Sequence, residues 1–288
     1  MPFATDIRAM PRPGFLNNPM PPAPVHLHRP IRAGSFMPEL QAAPWRYHLA
    51  HDREDSLLLW LTKGQGRIMV NGVLRGVSMH HAIWLPAGTL FSVELQPGSQ
   101  ALYAQVPPQP GTHQPANAVI LPIRDGRAQA ELTAEIDAMQ RELHARQPMM
   151  QDALEARATL LGIWLQRQIT AGAAESRPAG AAQRLAQRFA RDLSQHFRSP
   201  RTIAAYADAL DVTATHLTRV CRRCCGKTAA DLLSERRLHA ARVALQSPKP
   251  PLKDVAASLG FSSAAYFTRF VQAHTGQSPS ALRKSARA

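Results

Sequence analysis

Two apolar periodicities divide the chain. SLLLWLT (residues 56–62), RIMV, VLRGV, HHAIWL, LFSVEL and ALYAQV are short apolar or alternating runs, broken by KGQG, the Asn71-Gly72 pair, PAG and PGSQ. Asn-Gly between apolar runs is a strong hairpin signal, and the regular turn spacing predicts a small antiparallel barrel or sandwich over residues 45–122, with closure into a β-barrel preferred. SLLLWL is apolar on both faces, so the pattern leaves open which of its side chains point inward. Beyond Pro122 the period becomes 3.6. Leu132, Ile136, Met139 and Leu143 form one helical stripe, and Leu154, Leu161, Leu165 and Ile169 form a second after HARQP. Two such helices can cover the β unit, and the second stripe can pair with another copy, which makes residues 123–170 a helical dimerisation segment. Residues 1–44, crowded with proline (PRPG, NPMPPAP), read as an arm with little regular structure. Residues 171–182, small, polar and proline-bearing, read as a linker. Everything from 183 onward reads helical, so the fold class is α+β.

The helical end repeats itself. HLTRVCRRCCGKTAADL from His216 matches YFTRFVQAHTGQSPSAL from Tyr266 at a constant offset, pairing Leu217 with Phe267, Thr218-Arg219 with Thr268-Arg269, Gly226 with Gly276 and Leu232 with Leu282. Upstream, IAAYADALDV matches LKDVAASLGF with one residue fewer in the offset, so the second copy carries an extra residue in its turn. Each copy has the pattern of a helix-turn-helix. Ala207 and Ala256 are small where two helices cross, Leu210 and Val212 or Leu259 and Phe261 pin the turn, and Leu217 and Val220 or Phe267 and Phe270 seat the second helix. Thr213, and Ser262 or Ser263, supply N-caps.

Charge gives these outward faces a partner. The chain carries a net +14; residues 183–288 hold 18 Lys+Arg against 6 Asp+Glu, a net of +12, and the other 182 residues hold 16 against 14, a net of +2. A positive field concentrated in one segment is the footprint of a polyanion. A helix entering the major groove needs short or hydrogen-bonding side chains in its first turn and a long donor further along. Thr215, Thr218 and Arg219 have that arrangement in one copy, and Ala264, Ala265, Thr268 and Arg269 in the other; without the duplication and the charge, such a face is ordinary solvent surface. TAADLLSERRLHAARVALQS, starting at the Thr228 cap, is one amphipathic helix to Gln246 that can hold the two units about one DNA turn apart.

On these residues the region 183–284 resembles the DNA-binding domain of AraC/XylS-family transcription regulators. GFSS, YFTRF, TGQSPS and Leu282-Arg283 within DVAASLGFSSAAYFTRFVQAHTGQSPSALRK carry the resemblance. It implies a domain of two helix-turn-helix units over residues 183–288, with base contacts from Thr215, Thr218 and Arg219 and from Ala264, Ala265, Tyr266, Thr268 and Arg269. It also implies double-stranded DNA and RNA polymerase as partners and a homodimer. The first unit departs from the pattern at Asp211, where glycine is usual, and at Cys221, where an aromatic is commoner.

LLLWLTKGQGRIMVNG followed by HHAIWLPAGTLFSVEL resembles the cupin-like sensor domains found in many such regulators. That implies a small-molecule effector pocket inside the β unit, with Trp45, Trp60, His80 and Trp84 as candidate lining. Metal-binding cupins bring a histidine after the proline-glycine turn and an H-x-H pair from an earlier strand; here Leu90-Phe91 follow PAGT and LLLWLTKGQG has none. His48, His51, His80 and His81 remain without ligand spacing, and His26 and His28 lie in the proline-rich arm. No cofactor or metal is therefore expected. The competing reading from another class is a cupin-type enzyme, a dioxygenase or isomerase, fused to a DNA-binding domain. CRRCCGKT fails as a phosphate loop because Cys221 stands where the first glycine must turn the chain. Cys221, Cys224 and Cys225 lack a fourth zinc ligand nearby and at helical spacing form a packed stripe. With no apolar run long enough for a bilayer and no secretion signal at MPFATDIRAM, a cytoplasmic protein is expected.

Overall fold

SLLLWL is apolar on both faces because both faces are covered. The computed structural model describes residues 29–173, 179–247 and 250–285. Strand β2 (Ser56–Lys63) is central in a five-stranded antiparallel sheet whose order is β1 (Arg32–Ser35), β7 (Gln100–Val106), β2, β5 (His81–Leu85) and β8 (Val119–Pro122). Leu57, Leu59 and Leu61 face a second sheet of three strands, β4 (Val73–Ser78), β3 (Gln65–Val70) and β6 (Phe91–Leu95), and meet Ile68, Val77, Phe91 and Val93 there. Leu58 and Trp60, one residue out of phase, point the other way, onto helices α3 (Gly126–Ala145) and α4 (Met150–Thr170). The Asn71-Gly72 hairpin forms as its chemistry demands: Val70 pairs Val73, and both turn residues have positive φ, 47° and 74°.

The two sheets do not close into the expected barrel. Closure needs an unbroken ladder from the last strand back to the first. Here β6 meets the rest of the N-terminal half through an isolated bridge between Phe91 and His51, and β4 stands apart from β8 across a groove flanked by Val70, Val73, Arg75 and Val119. Two departures concern the elements around the sheets. The described part of the proline-rich arm is structured: β1 pairs with β7, and α1 (Phe36–Ala42) caps the inter-sheet core through Phe36 and Leu40; α2 (Trp45–His48), within the segment expected to be β, joins that cap through Tyr47. Four residues of edge strand are too short to leave a period in the sequence. The second helical stripe is also used within the chain, since Leu154, Leu161 and Leu165 are buried with Leu132, Ile136 and Met139 of α3 against the sheet. Gly162 lets α4 approach the 107–116 segment so closely that a Cβ would lie 2.0 Å from the Thr112 carbonyl oxygen.

Helix α4 ends at Thr170 and α5 (Ala181–His196) opens the helical half. There follow α6 (Ile203–Asp208), α7 (Ala214–Cys225), α8 (Ala229–Gln246), α9 (Leu252–Ser258), α10 (Ala264–Thr275) and α11 (Pro279–Ser285). The caps decide the boundaries. Thr213 accepts from the His216 N–H at 3.1 Å, Ser263 rather than Ser262 accepts from Tyr266 at 3.1 Å, and Thr228 forms a capping box with Asp231. Gly226 and Gly276 end α7 and α10 in the left-handed conformation.

Candidate nucleic-acid interface and the adjoining cleft

In both units the second helix is seated by its apolar residues, which leaves the opposite face open. Leu217, Val220 and Cys221 of α7 are buried, as are Phe267 and Val271 of α10. On the outward side Thr215 and Arg219 are exposed and Thr218 half-buried; Ala264, Ala265, Tyr266 and Arg269 are exposed and Thr268 half-buried. All eight candidate base-contacting residues thus share the two outer faces. Tyr266, 49% exposed, packs one side of its ring near Phe261 at the α10 entry, with ring centres 5.7 Å apart. Sequence reasoning missed His216, whose Nδ1 lies 3.1 Å from the Arg219 guanidinium and pre-orients it. The i, i+3 spacing is the signal that marks such a pair. Arg222 and Arg223 extend the exposed basic ridge of α7.

The connecting helix α8 sets the relation of the two units. Arg237 donates to the carbonyls of Phe197 at 2.9 Å and Ser199 at 2.7 Å, fixing the turn between α5 and α6. The turn of the second unit presses on the same segment: a Cβ on Gly260 would lie 2.3 Å from the Arg198 carbonyl oxygen. Cys221 and Cys225 are buried, and Cys225 donates to the Cys221 carbonyl at 3.3 Å. Burial pushes the Cys221 thiol up to about 12 and raises Cys224 and Cys225 as well, so all three favour the neutral thiol over the nucleophilic, metal-ligating thiolate.

The candidate effector residues fall in separate places. Trp60 and Trp84 are packed into the core, their indole N–H groups donating to Thr133 Oγ1 at 3.0 Å and to the Pro115 carbonyl at 2.9 Å. Truncating either opens a core cavity, a loss of about 3–5 kcal/mol. His80 occupies the β4–β5 turn at φ 66° and stacks on Trp60. Trp45 alone of the four lines a cavity of about 740 Å³ between the two halves, together with Arg32, Arg46, Arg53 and Arg242. The Arg242 guanidinium lies 4.4 Å from its ring centre. His48 is exposed on α2, His81 is bonded to Ser78 and His51 is buried at the junction of the halves. Among the described residues no three His, Cys, Asp or Glu side chains gather as a metal-ligand set. His26 and His28 lie outside the described residues.

The halves are docked by a mixed interface. Ala50, Met69 and Leu90 join the apolar core of the helical half, and the Asn71-Gly72 turn sits on α5, where a Cβ on Gly72 would lie 3.0 Å from the Ala186 carbonyl oxygen. Around this contact Arg236, 7% exposed, pairs with Asp52 and stacks over Phe197, while the Ala50 N–H donates to Glu235 at 3.0 Å.

With this geometry in hand, comparison with known proteins supplies a class for the C-terminal segment. Residues 206–285 match the family model described as "Helix-turn-helix domain", which places a DNA-binding domain at this end of the chain. No curated protein matches the chain. Among solved structures, the chain is similar to an apo, single-residue variant of ToxT from Vibrio cholerae at 11% identity, over 88% of this chain and 96% of that one, with a TM-score of 0.42. It is also similar to the C-terminal domain of AraT, a response regulator from Geobacillus stearothermophilus, at 25% identity over 38% and 88% with a TM-score of 0.34. A third is a DNA-binding transcriptional dual regulator from Escherichia coli K-12, at 21% identity over 36% and 92% with a TM-score of 0.32. At such scores the functional reading rests on the residues themselves. No helix among the described residues is long and apolar enough to cross a membrane.

Proposed function

We propose that the protein is a sequence-specific transcription regulator of the AraC/XylS kind, which lays α7 and α10 into two successive major grooves and takes a small-molecule effector in its N-terminal half. One observation carries the reading: the same Thr-Arg pair, repeated at a fixed offset, faces outward on two capped helices in the basic half of the chain. Helix α8, 18 residues or about 27 Å long, is of the right size to hold those helices about one DNA turn, roughly 34 Å, apart. Arg269→Ala should cost about 1–3 kcal/mol on the specific site and leave random-duplex binding nearly intact. Quantitative binding at fixed salt reads this directly, and equal losses on both duplexes would count against base reading by α10.

The effector is better accommodated in the cleft between the halves than inside the β unit, where Leu57, Leu59, Leu61, Ile68, Phe91 and Val93 fill the space between the sheets and Trp60 and Trp84 are packed against α3 and α4. Four arginines outnumber the two carboxylates of the lining, Asp52 paired with Arg236 and Glu39 engaged by Tyr47 and Tyr103, and with the Trp45 face they suit a small organic anion with a flat or apolar body. A ligand touching both halves can bias their arrangement, provided its affinity differs between the two states. A thermal-shift screen of the full chain against small organic acids, repeated with Arg242→Gln, tests the placement: hits that survive that change do not bind here. Two chains would pair through the outward face of α4, around the exposed Leu160, and would reach DNA with RNA polymerase alongside.

A further inference from the structure

At the inner wall of the cleft, where the two halves meet, lies a pair of histidines that DNA contact does not explain, His51 buried and His239 half-buried. His51, between α2 and β2, is buried, and its imidazole stacks on that of His239 from α8 with ring centres 4.1 Å apart and planes within 10°. Each ring has its carbonyl contact as a neutral species. His51 Nδ1–H donates to Leu49 at 2.9 Å, and His239 Nε2–H donates across the junction to the Arg46 carbonyl at 3.2 Å. The free neighbours are cationic or apolar, and each nearby carboxylate already has a partner; Glu39, which lines the same cavity, accepts from the Tyr47 and Tyr103 hydroxyls. Arg53 follows on the His51 segment, Arg236 faces the pair from α8 with its charge bonded to Asp52, Phe91 of β6 and Tyr47 of α2 close on His51, and Trp45 of α2 lies against His239. Glu235, the nearby α8 carboxylate, is engaged by the Ala50 N–H and by Lys227.

We propose that this pair makes the docking of the two halves proton-sensitive: the interface closes on two neutral imidazoles, and acidification releases the sensor half from α8. A second proton on either ring would place like charges face to face and beside Arg236 and Arg53. Burial, reinforced for His239 by His51 itself and for both rings by Arg53 and Arg236, holds both imidazoles well below their free value. A base depressed in the docked state stabilises that state above its free value near 6.5, and the stabilisation is lost as pH falls from there. With two rings the docking constant falls about 100-fold between pH 7.5 and 5.5. Proton uptake would thus reach the DNA-binding half by loosening the contact that holds α8.

The Ala50 amide, whose hydrogen bond to Glu235 spans the junction, reports on docking without any DNA or effector, so the outcome is separate from that of the proposed function. Native-state hydrogen exchange on the full chain, corrected for intrinsic rates, should show Ala50 protection falling about 100-fold from pH 7.5 to 5.5. The Leu58 amide, inside the five-stranded sheet, serves as the control and should hold. In His51→Gln plus His239→Gln the Ala50 fall should vanish. Because two glutamines also remove the stacking, each single variant is measured alongside, with a fall of about 10-fold expected. Ala50 protection that stays flat in the wild type, or that falls equally in the double variant, would overturn the proposal.

Discussion

Asp211 and Gly260 hold the same left-handed turn position with different chemistry, at φ 59° and 76°. Aspartate tolerates that region better than most residues, yet glycine adopts it without a Cβ penalty. Asp211→Gly should therefore raise unfolding stability by about 0.5–1 kcal/mol, measured by urea titration; a loss would mean that the aspartate side chain supports the turn. Gly260→Ala should do the opposite and cost more, because its Cβ would also meet the Arg198 carbonyl. The departure at Asp211 was visible in the sequence from its alignment with Gly260, but the close approach to Arg198 was not, since sixty-odd residues separate the two. The cysteines were legible as a packed stripe from spacing alone. Replacing all three by Ala or Val should leave DNA affinity insensitive to oxidant and chelator, with a modest loss of thermal stability, and a chelator-sensitive wild type would reject the packing role.

Among the elements, α4 and β2 mark where a periodic pattern stops being informative. The Leu154, Leu161 and Leu165 stripe was legible as amphipathic, but an apolar face does not name its partner. The structure packs that face on α3 and the sheet and leaves Leu160, 54% exposed, on the other side. Adjacent residues thus predict different outcomes. Leu161→Asp should unfold the N-terminal half by burying an unpaired charge, whereas Leu160→Asp should leave the melting temperature nearly unchanged and, if α4 pairs two copies, lower affinity for a paired DNA site to that for a half-site. Sedimentation together with binding to both site types checks this, and a Leu160→Asp protein that still dimerises rules out this face. In β2 the difficulty was the reverse: an uninterrupted apolar run carries no alternation, so the directions of Trp60 and its neighbours depend on having covers on both sides of the sheet.

At the scale of the molecule, docking joins a nearly neutral half (+2) to a strongly basic one (+12) through apolar contacts and one buried ion pair. Asp52→Ala would leave the Arg236 guanidinium buried without its partner, a loss of about 3–5 kcal/mol concentrated on the docked state. Small-angle scattering should then show an expanded chain, while Asp52→Met with Arg236→Met should stay compact. If Asp52→Ala is as compact as wild type, the ion pair contributes nothing to the junction. The isolated helical half should still bind a half-site, without response to effector or to pH.

The local features were settled by the sequence. Caps at Thr213 and Thr228, a serine cap narrowed to Ser262 or Ser263, the Asn71-Gly72 hairpin, the repeated helix-turn-helix and its outward Thr-Arg faces depend on contacts a few residues apart, and short-range chemistry is written directly in residue order. Tertiary structure alone decided the open pair of sheets, the interior fate of the α4 stripe, the burial of Trp60 and Trp84, and the meeting of His51 with His239 and of Asp52 with Arg236. Each of these joins segments tens to nearly two hundred residues apart, and which apolar faces and charges meet at such range is set by the packing of the whole chain, which no local period encodes.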